Sequence, residues 1–141
     1  QIFDSWAGLL PQDYLNDLCF EPNRKIASYV KSLRIPVICF PRGIGTNYLK
    51  FNELVKPSCI NIDYDIQPEW AKNNLKGPTI QGGLDPKILL ENNDIIKTEV
   101  EKYIKIFKNQ SYIFNLGHGV LPETKPETIE YIIKLVKEKS K

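Results

Sequence analysis

Five short apolar runs, each followed by a turn and then by an amphipathic stretch, restrict this chain to very few architectures. The runs are Gln1-Ile2-Phe3-Asp4, Pro36-Val37-Ile38-Cys39-Phe40, Ser58-Cys59-Ile60-Asn61-Ile62-Asp63, Thr79-Ile80-Gln81 and Tyr112-Ile113-Phe114. Their length and their content of β-branched and aromatic residues predict strands. Between them lie helical patterns. One runs through Leu18 and again from Pro22 to Leu33, and others span Tyr48 to Val55, Pro68 to about Gly77, and Asp94 to about Phe107. A last helix opens at Thr124-Lys125-Pro126-Glu127. Spacing predicts inward faces of Ile26, Tyr29, Val30 and Leu33 on the first helix, and of Ile129, Ile132, Ile133 and Val136 on the last. The helix from Asp94 is expected to turn Ile96, Val100, Tyr103, Ile104 and Phe107 inward. Strands separated by helices are joined by crossovers rather than hairpins, so the fold class is α/β with a parallel sheet. Two arrangements fit: an open doubly wound parallel sheet that uses all five strands, or part of an eight-stranded barrel.

Composition narrows the partners. The 141 residues, 42% hydrophobic, hold enough apolar material for one ordinary core. The net charge is only +2, and the lysines are spread over helix faces, so neither nucleic acid nor an anionic membrane is expected as a partner. No apolar run approaches the roughly 20 residues that cross a bilayer. Cys19, Cys39 and Cys59 are odd in number, far apart and without C-x-x-C spacing or a neighbouring histidine. This argues against a disulfide framework or a zinc site, and points to a reducing, cytoplasmic setting with no metal. Cys39 and Cys59 sit in strand-like runs, where a free thiol packs as a small hydrophobe. The chain has no methionine, and Gln1-Ile2-Phe3 already reads as strand, so it is expected to be a piece of a longer protein.

The residues that carry chemistry cluster just after the strands: Ser5, Arg42-Gly43, Asp63-Tyr64-Asp65, Gly82-Gly83-Leu84-Asp85 and Gly117-His118-Gly119. In a barrel those positions share the C-terminal face, where active sites are built. His118 is the only histidine, lifted from the end of the last strand between two glycines, or else a turn residue bonded to backbone. Ser5 is either a hydroxyl presented to a ligand or a turn former. Arg42 is suited to a bidentate hold on a carboxylate, its alternative being a solvated turn residue. Asp85-Pro86 reads as a helix start. Asp63 and Asp65 lack metal-ligand companions and are expected to be paired or solvated. Gly43-Ile44-Gly45 opens like a dinucleotide fingerprint, but Tyr48 takes the third glycine position, and after Gly117 and Gly119 Pro122 does the same, so nucleotide binding is not supported.

Asn115-Leu116-Gly117-His118-Gly119, followed by Pro122, Thr124 and Pro126-Glu127 before an amphipathic helix, resembles the C-terminal signature of uroporphyrinogen decarboxylases. Gln1-Ile2-Phe3-Asp4-Ser5-Trp6-Ala7-Gly8 and Gln81-Gly82-Gly83-Leu84-Asp85-Pro86 resemble the same family, in the same order. The resemblance spans the whole chain, while the family's chains are well over twice as long. It therefore implies strands four to eight of a (β/α)₈ TIM barrel, a single domain whose N-terminal strands lie outside this chain. The implied activity is removal of the four acetate carboxyls of uroporphyrinogen III to give coproporphyrinogen III in haem biosynthesis. It also implies no metal or organic cofactor, a homodimer, and the missing N-terminal half as partner. Substrate-binding roles fall to Ser5 of the F-x-S motif and to His118, with Phe3 of the same motif and Arg42 as further candidates. The family's aspartate, arginines and tyrosine belong to motifs N-terminal to Gln1, so no catalytic residue is expected here and the chain alone is expected to be inactive. Gly83 stands where many members have asparagine. Two alternatives remain: a corrinoid-dependent methyltransferase relative, whose H-x-C zinc pattern is broken by Gly119 and Val120, and a non-catalytic α/β binding module.

Overall fold

A computed structural model describes residues 1–139. Its five strands are β1 (Ile2–Asp4), β2 (Ile38–Pro41), β3 (Cys59–Ile62), β4 (Thr79–Gly82) and β5 (Tyr112–Ile113). The helices are α1 (Glu21–Ser32), α2 (Tyr48–Val55), α3 (Pro68–Asn74), α4 (Asn93–Phe107) and α5 (Pro126–Lys139). All the strands are parallel, and their order in the sheet is their order in the chain. A doubly wound sheet must reverse that order at a switch point, which sends helices to both faces. Here there is no reversal. Successive right-handed crossovers place the helices on one side, and α1 packs on α2, α3 on α4, and α4 on α5. The five βα units are thus an arc of a (β/α)₈ barrel, and the open doubly wound arrangement does not apply.

Register sorts the strand residues onto two faces. Cys39, Ile60, Ile62 and Ile80 point toward the helices and join one core with Phe20, Tyr48, Phe51 and Val100. Phe3, Phe40, Asn61, Gln81 and Ile113 share the opposite face. There the Phe3 and Phe40 rings meet edge to face at 6.4 Å, and Gln81 Nε2 donates to Asn61 Oδ1 at 2.7 Å. All three cysteines are buried and free. Burial pushes the Cys59 thiol up to about 11 and the Cys39 thiol up to about 12. Cys19 is raised further, by burial first and then by its contact with Asp4. Among the described residues no helix is long and apolar enough to cross a membrane.

Four local expectations change. Pro22 does not divide the first helix, because a wide π turn over Asn16–Phe20 runs directly into α1 and absorbs the carbonyl clash that proline causes. The inward face of α1 consists of Asn23, Ala27 and, in part, Val30. Ile26, Tyr29 and Leu33, read as inward, are exposed. On α5 Ile132 and Leu135 are buried while Ile133 faces out. Finally, α5 opens where expected without a hydroxyl cap: Thr124 Oγ1 is buried and unbonded, and the Thr128 N–H closes the turn onto the Lys125 carbonyl at 3.0 Å.

Candidate functional site

Parallel strands bring all their carboxyl ends to one side, so the five chemistry-bearing segments lie along a single rim. The rim begins at β1. Ser5 is half-buried, and its hydroxyl has no hydrogen-bond partner among the described residues. Phe3, two residues earlier, is 68% exposed on the face away from the helices.

The β1 and β2 ends are tied by backbone. The Arg42 N–H donates to the Asp4 carbonyl at 3.1 Å, and the Gly8 N–H donates to the Arg42 carbonyl at 2.8 Å. The Arg42 side chain is half-buried rather than solvated. Its Nη2 donates to Tyr64 Oη at 3.3 Å, and its Cζ lies 5.9 Å from the centroid of that ring. The Arg42 Nε is buried and has no acceptor among the described residues. The guanidinium is therefore supported on one side by an aromatic and keeps donors unused on the other.

At the end of β3 the structure departs from expectation. Asp65 is exposed, but Asp63 is only 1% exposed and meets no cation among the described residues. Neutral donors hold it. Its Oδ2 accepts from the Gly43 N–H at 2.7 Å and from Tyr48 Oη at 3.0 Å, and its Oδ1 accepts from the Asp65 N–H at 3.0 Å. Burial, and then the Asp63 charge, push the Tyr48 phenol well above its ordinary value, so it stays a donor. Sequence reading placed Asp63 and Tyr64 on this rim but missed the bonds they make, and it missed Tyr48 altogether. A carboxylate closing a wholly apolar-flanked strand was the available signal for Asp63. Tyr48, spaced with Phe51 and Val55, advertised burial but not its bond.

The β4 end is built from paired glycines. Tyr103 Oη donates to the Gly83 carbonyl at 2.7 Å and Tyr112 Oη to the Gly82 carbonyl at 2.8 Å. Gly83 has φ +98°, and a Cβ there would come within 3.0 Å of the Tyr103 ring and 3.1 Å of Ile62. A side chain at this position requires both neighbours to shift, so the room for an asparagine has been taken up. Asp85 Oδ1 does accept from the Lys87 N–H at 2.9 Å, but the helix it starts is a short 3₁₀ turn, Pro86–Leu90, and Asn92 caps α4 separately.

The rim closes with the loop after β5. His118 is exposed, and its imidazole bonds to nothing among the described residues, so it is not a turn residue fixed on backbone. The loop itself is held firmly. The Gly117 N–H donates to the Leu84 carbonyl at 2.7 Å, and Gly117 lies so close to the Tyr64 amide that any Cβ would overlap it. Contacts thus pass from Asp4 beside Ser5 to Arg42, from Arg42 to Tyr64, and from Tyr64 to Gly117 beside His118. Ser5 and His118 do not themselves meet, since β1 and β5 lie at opposite edges of the sheet. What the rim offers is a hydroxyl, a guanidinium and an imidazole free to bind anionic groups, not a nucleophile with its base.

Residues 1–139 match the family Uroporphyrinogen decarboxylase (URO-D). The chain belongs to the uroporphyrinogen decarboxylase family. It is 46% identical over 140 residues to the protein named uroporphyrinogen decarboxylase of Rickettsia bellii (strain RML369-C), covering 98% of this chain and 41% of that relative. A second relative of that name, from Rickettsia akari (strain Hartford), is 40% identical over 139 residues, covering 97% of this chain and 41% of the relative. A third, from Cereibacter sphaeroides (strain ATCC 17025 / ATH 2.4.3), is 37% identical over 143 residues, covering 99% and 42%. The chain thus spans about 41% of the length of the uroporphyrinogen decarboxylases it matches. Family membership agrees with the barrel arc seen in the sheet.

Proposed function

We propose that this chain forms part of the substrate cleft of a uroporphyrinogen decarboxylase, which removes the four acetate carboxyls of uroporphyrinogen III to give coproporphyrinogen III. One observation carries the reading: the Ser5 hydroxyl, the Arg42 guanidinium and the His118 imidazole stand along one rim, and each keeps polar atoms without a protein partner among the described residues. Free donors ranged beside an exposed phenylalanine suit a ligand that is apolar in its ring system and anionic at its edge. In this reading Phe3 packs on the macrocycle, Arg42 pairs with a carboxylate, and Ser5 and His118 hydrogen-bond to others.

The chemistry asks little of these side chains beyond placement. A pyrrole protonated on carbon is an electron sink, so the C–C bond to the departing carboxyl breaks with its electron pair drawn into the ring. Carbon dioxide leaves, a proton is added to the exocyclic carbon to make the methyl group, and the ring carbon gives up the proton it had taken, restoring the pyrrole. No metal or organic cofactor enters this scheme. The protein holds the polyanion, excludes water and stabilises charge where it develops.

The proton-handling groups belong, on this reading, to βα units beyond these five, which pair with the free edges of β1 and β5. Support comes from the surfaces there. On α1, Ile26, Leu33 and Tyr29, the last 68% exposed, form an outward apolar stripe beside an edge strand that a soluble sheet ordinarily covers. The completed enzyme is a cytoplasmic homodimer, and the 141 residues alone do not turn over porphyrinogen. The test is the coproporphyrinogen yield of enzyme with all its barrel units, carrying Ser5→Ala, Arg42→Ala or His118→Gln singly. Each is expected to lower kcat/KM by about tenfold or more, equivalent to ~1.4 kcal/mol of lost transition-state binding. Unchanged kcat/KM in all three removes the cleft assignment, and turnover by the isolated chain contradicts its inactivity.

A further inference from the structure

A buried carboxylate with no counter-ion is costly, and a well-packed apolar residue ordinarily serves stability better. Among the described residues Asp63 is such a group, 1% exposed and without a cation, so its value lies in what it holds. It grips three pieces of chain at once: the Arg42–Gly43 peptide through the Gly43 N–H at 2.7 Å, α2 through Tyr48 Oη at 3.0 Å, and its own following turn through the Asp65 N–H at 3.0 Å. The first bond fixes the backbone from which Arg42 projects. The third fixes the turn that holds Tyr64, on whose ring and hydroxyl the Arg42 guanidinium rests and against whose amide Gly117 is pressed.

We infer that Asp63 is a positioning residue: it sets Arg42 and Tyr64 relative to one another, and through Tyr64 it seats the His118 loop, so that the guanidinium meets a substrate carboxylate already aimed. This rests on the cleft reading above. A carboxylate is required because three donors converge on two oxygens. An asparagine turns one oxygen into a donor, and one backbone N–H is then left facing another N–H.

The test is a double-mutant cycle of Asp63→Asn and Arg42→Ala in enzyme with all its barrel units, read by steady-state kinetics with uroporphyrinogen. Arg42→Ala is expected to lower kcat/KM about tenfold or more. Asp63→Asn should lower it by a similar factor, mainly through KM, with kcat within about twofold. The double variant should be no worse than Arg42→Ala, because the same contact is lost only once. Losses that multiply, or a fall in kcat at unchanged KM, overturn the inference. If Asp63→Asn does not fold, Tyr48→Phe removes one of the three donors and leaves the carboxylate. It should raise KM about two- to fivefold, an effect that vanishes beside Arg42→Ala, and an unchanged KM overturns the inference. Amide exchange at Gly43 gives a readout independent of substrate, expected to quicken at least tenfold in Asp63→Asn, or in Tyr48→Phe if only that variant folds. If Arg42→Ala leaves kcat/KM untouched, the cleft reading has failed, and exchange alone decides whether the clamp exists; unchanged exchange overturns it.

Discussion

The middle of the sheet and its two flanks obey different rules. In β3 every residue is buried and in β4 all but the first, so both strands are covered on both faces, as parallel strands in a barrel wall are. At the flanks β1 and β5 bury no residue fully, and Phe3, Tyr29, Ile113 and Ile133 look outward. The contrast is not one of composition, since isoleucines and aromatics occur in both regions. It teaches that the chain's apolar pattern was set by a larger wall than five strands provide. Even the polar side chains follow this: Asn61 and Gln81 are buried in the middle because they bond to one another, whereas hydrophobic Phe3 is exposed at the edge.

The largest expected effect breaks the middle. Ile80→Ala, at a position with no exposure, should cost about 3–4 kcal/mol in urea unfolding, from lost transfer energy and the cavity left behind. Gly117→Ala should cost about 2 kcal/mol, because the new methyl meets the Tyr64 backbone, which cannot swing aside as a side chain could. It should also displace His118, so in enzyme with all its barrel units kcat/KM should fall by more than the stability loss accounts for. Tyr103→Phe strips the Gly83 carbonyl of its donor in a buried place and should cost about 1–2 kcal/mol.

Alkali should loosen the buried core that both regions rest on. Burial raises the thiols of Cys39 and Cys59 and the phenols of Tyr48, Tyr103 and Tyr112, so the folded state holds these protons more tightly than the unfolded chain. Their stabilising contribution is complete below the ordinary thiol value of 9.0 and drains away as the pH climbs through about 11 for Cys59 and about 12 for Cys39. The urea midpoint should be level near neutrality and decline from about pH 9 upward, and a midpoint that rises there would contradict the burial of these groups. The smallest effect belongs to the flank. Tyr29→Ala should change the stability of this chain by no more than about 0.5 kcal/mol, and a loss as large as that of Ile80→Ala would erase the contrast.

Much of this was legible in the sequence, for reasons that also explain the rest. Short apolar runs alternating with amphipathic stretches fixed the strand and helix positions and forced them parallel. The strand ends then located Ser5, Arg42 and His118 on one rim. Direction was harder to read. On α1 two apolar stripes compete, Ala27 with Val30 and Ile26 with Tyr29 and Leu33, and periodicity reports that a stripe exists without saying which one the sheet receives. The smaller stripe won because Asn23 beside it bonds to Asp4 at 3.0 Å. The clamp at Asp63 was invisible for a different reason: its partners Gly43 and Tyr48 are 20 and 15 positions away, and no local spacing encodes a bond across β2, α2 and β3. At Gly83 the sequence shows only a glycine where many members have asparagine, and the fold adds the reason: a left-handed glycine lies under Tyr103.

The most direct measurement is hydrogen exchange by mass spectrometry on this chain, alone and joined to the polypeptide that carries the remaining barrel units of its parent. The barrel account predicts that joining slows exchange in β1, α1, β5 and α5 by at least an order of magnitude and leaves β3 and β4, already protected, nearly unchanged. Equal protection of flanks and middle in the isolated chain, or no gain at the flanks on joining, would show that these five units are a finished structure and not an arc of a larger wall.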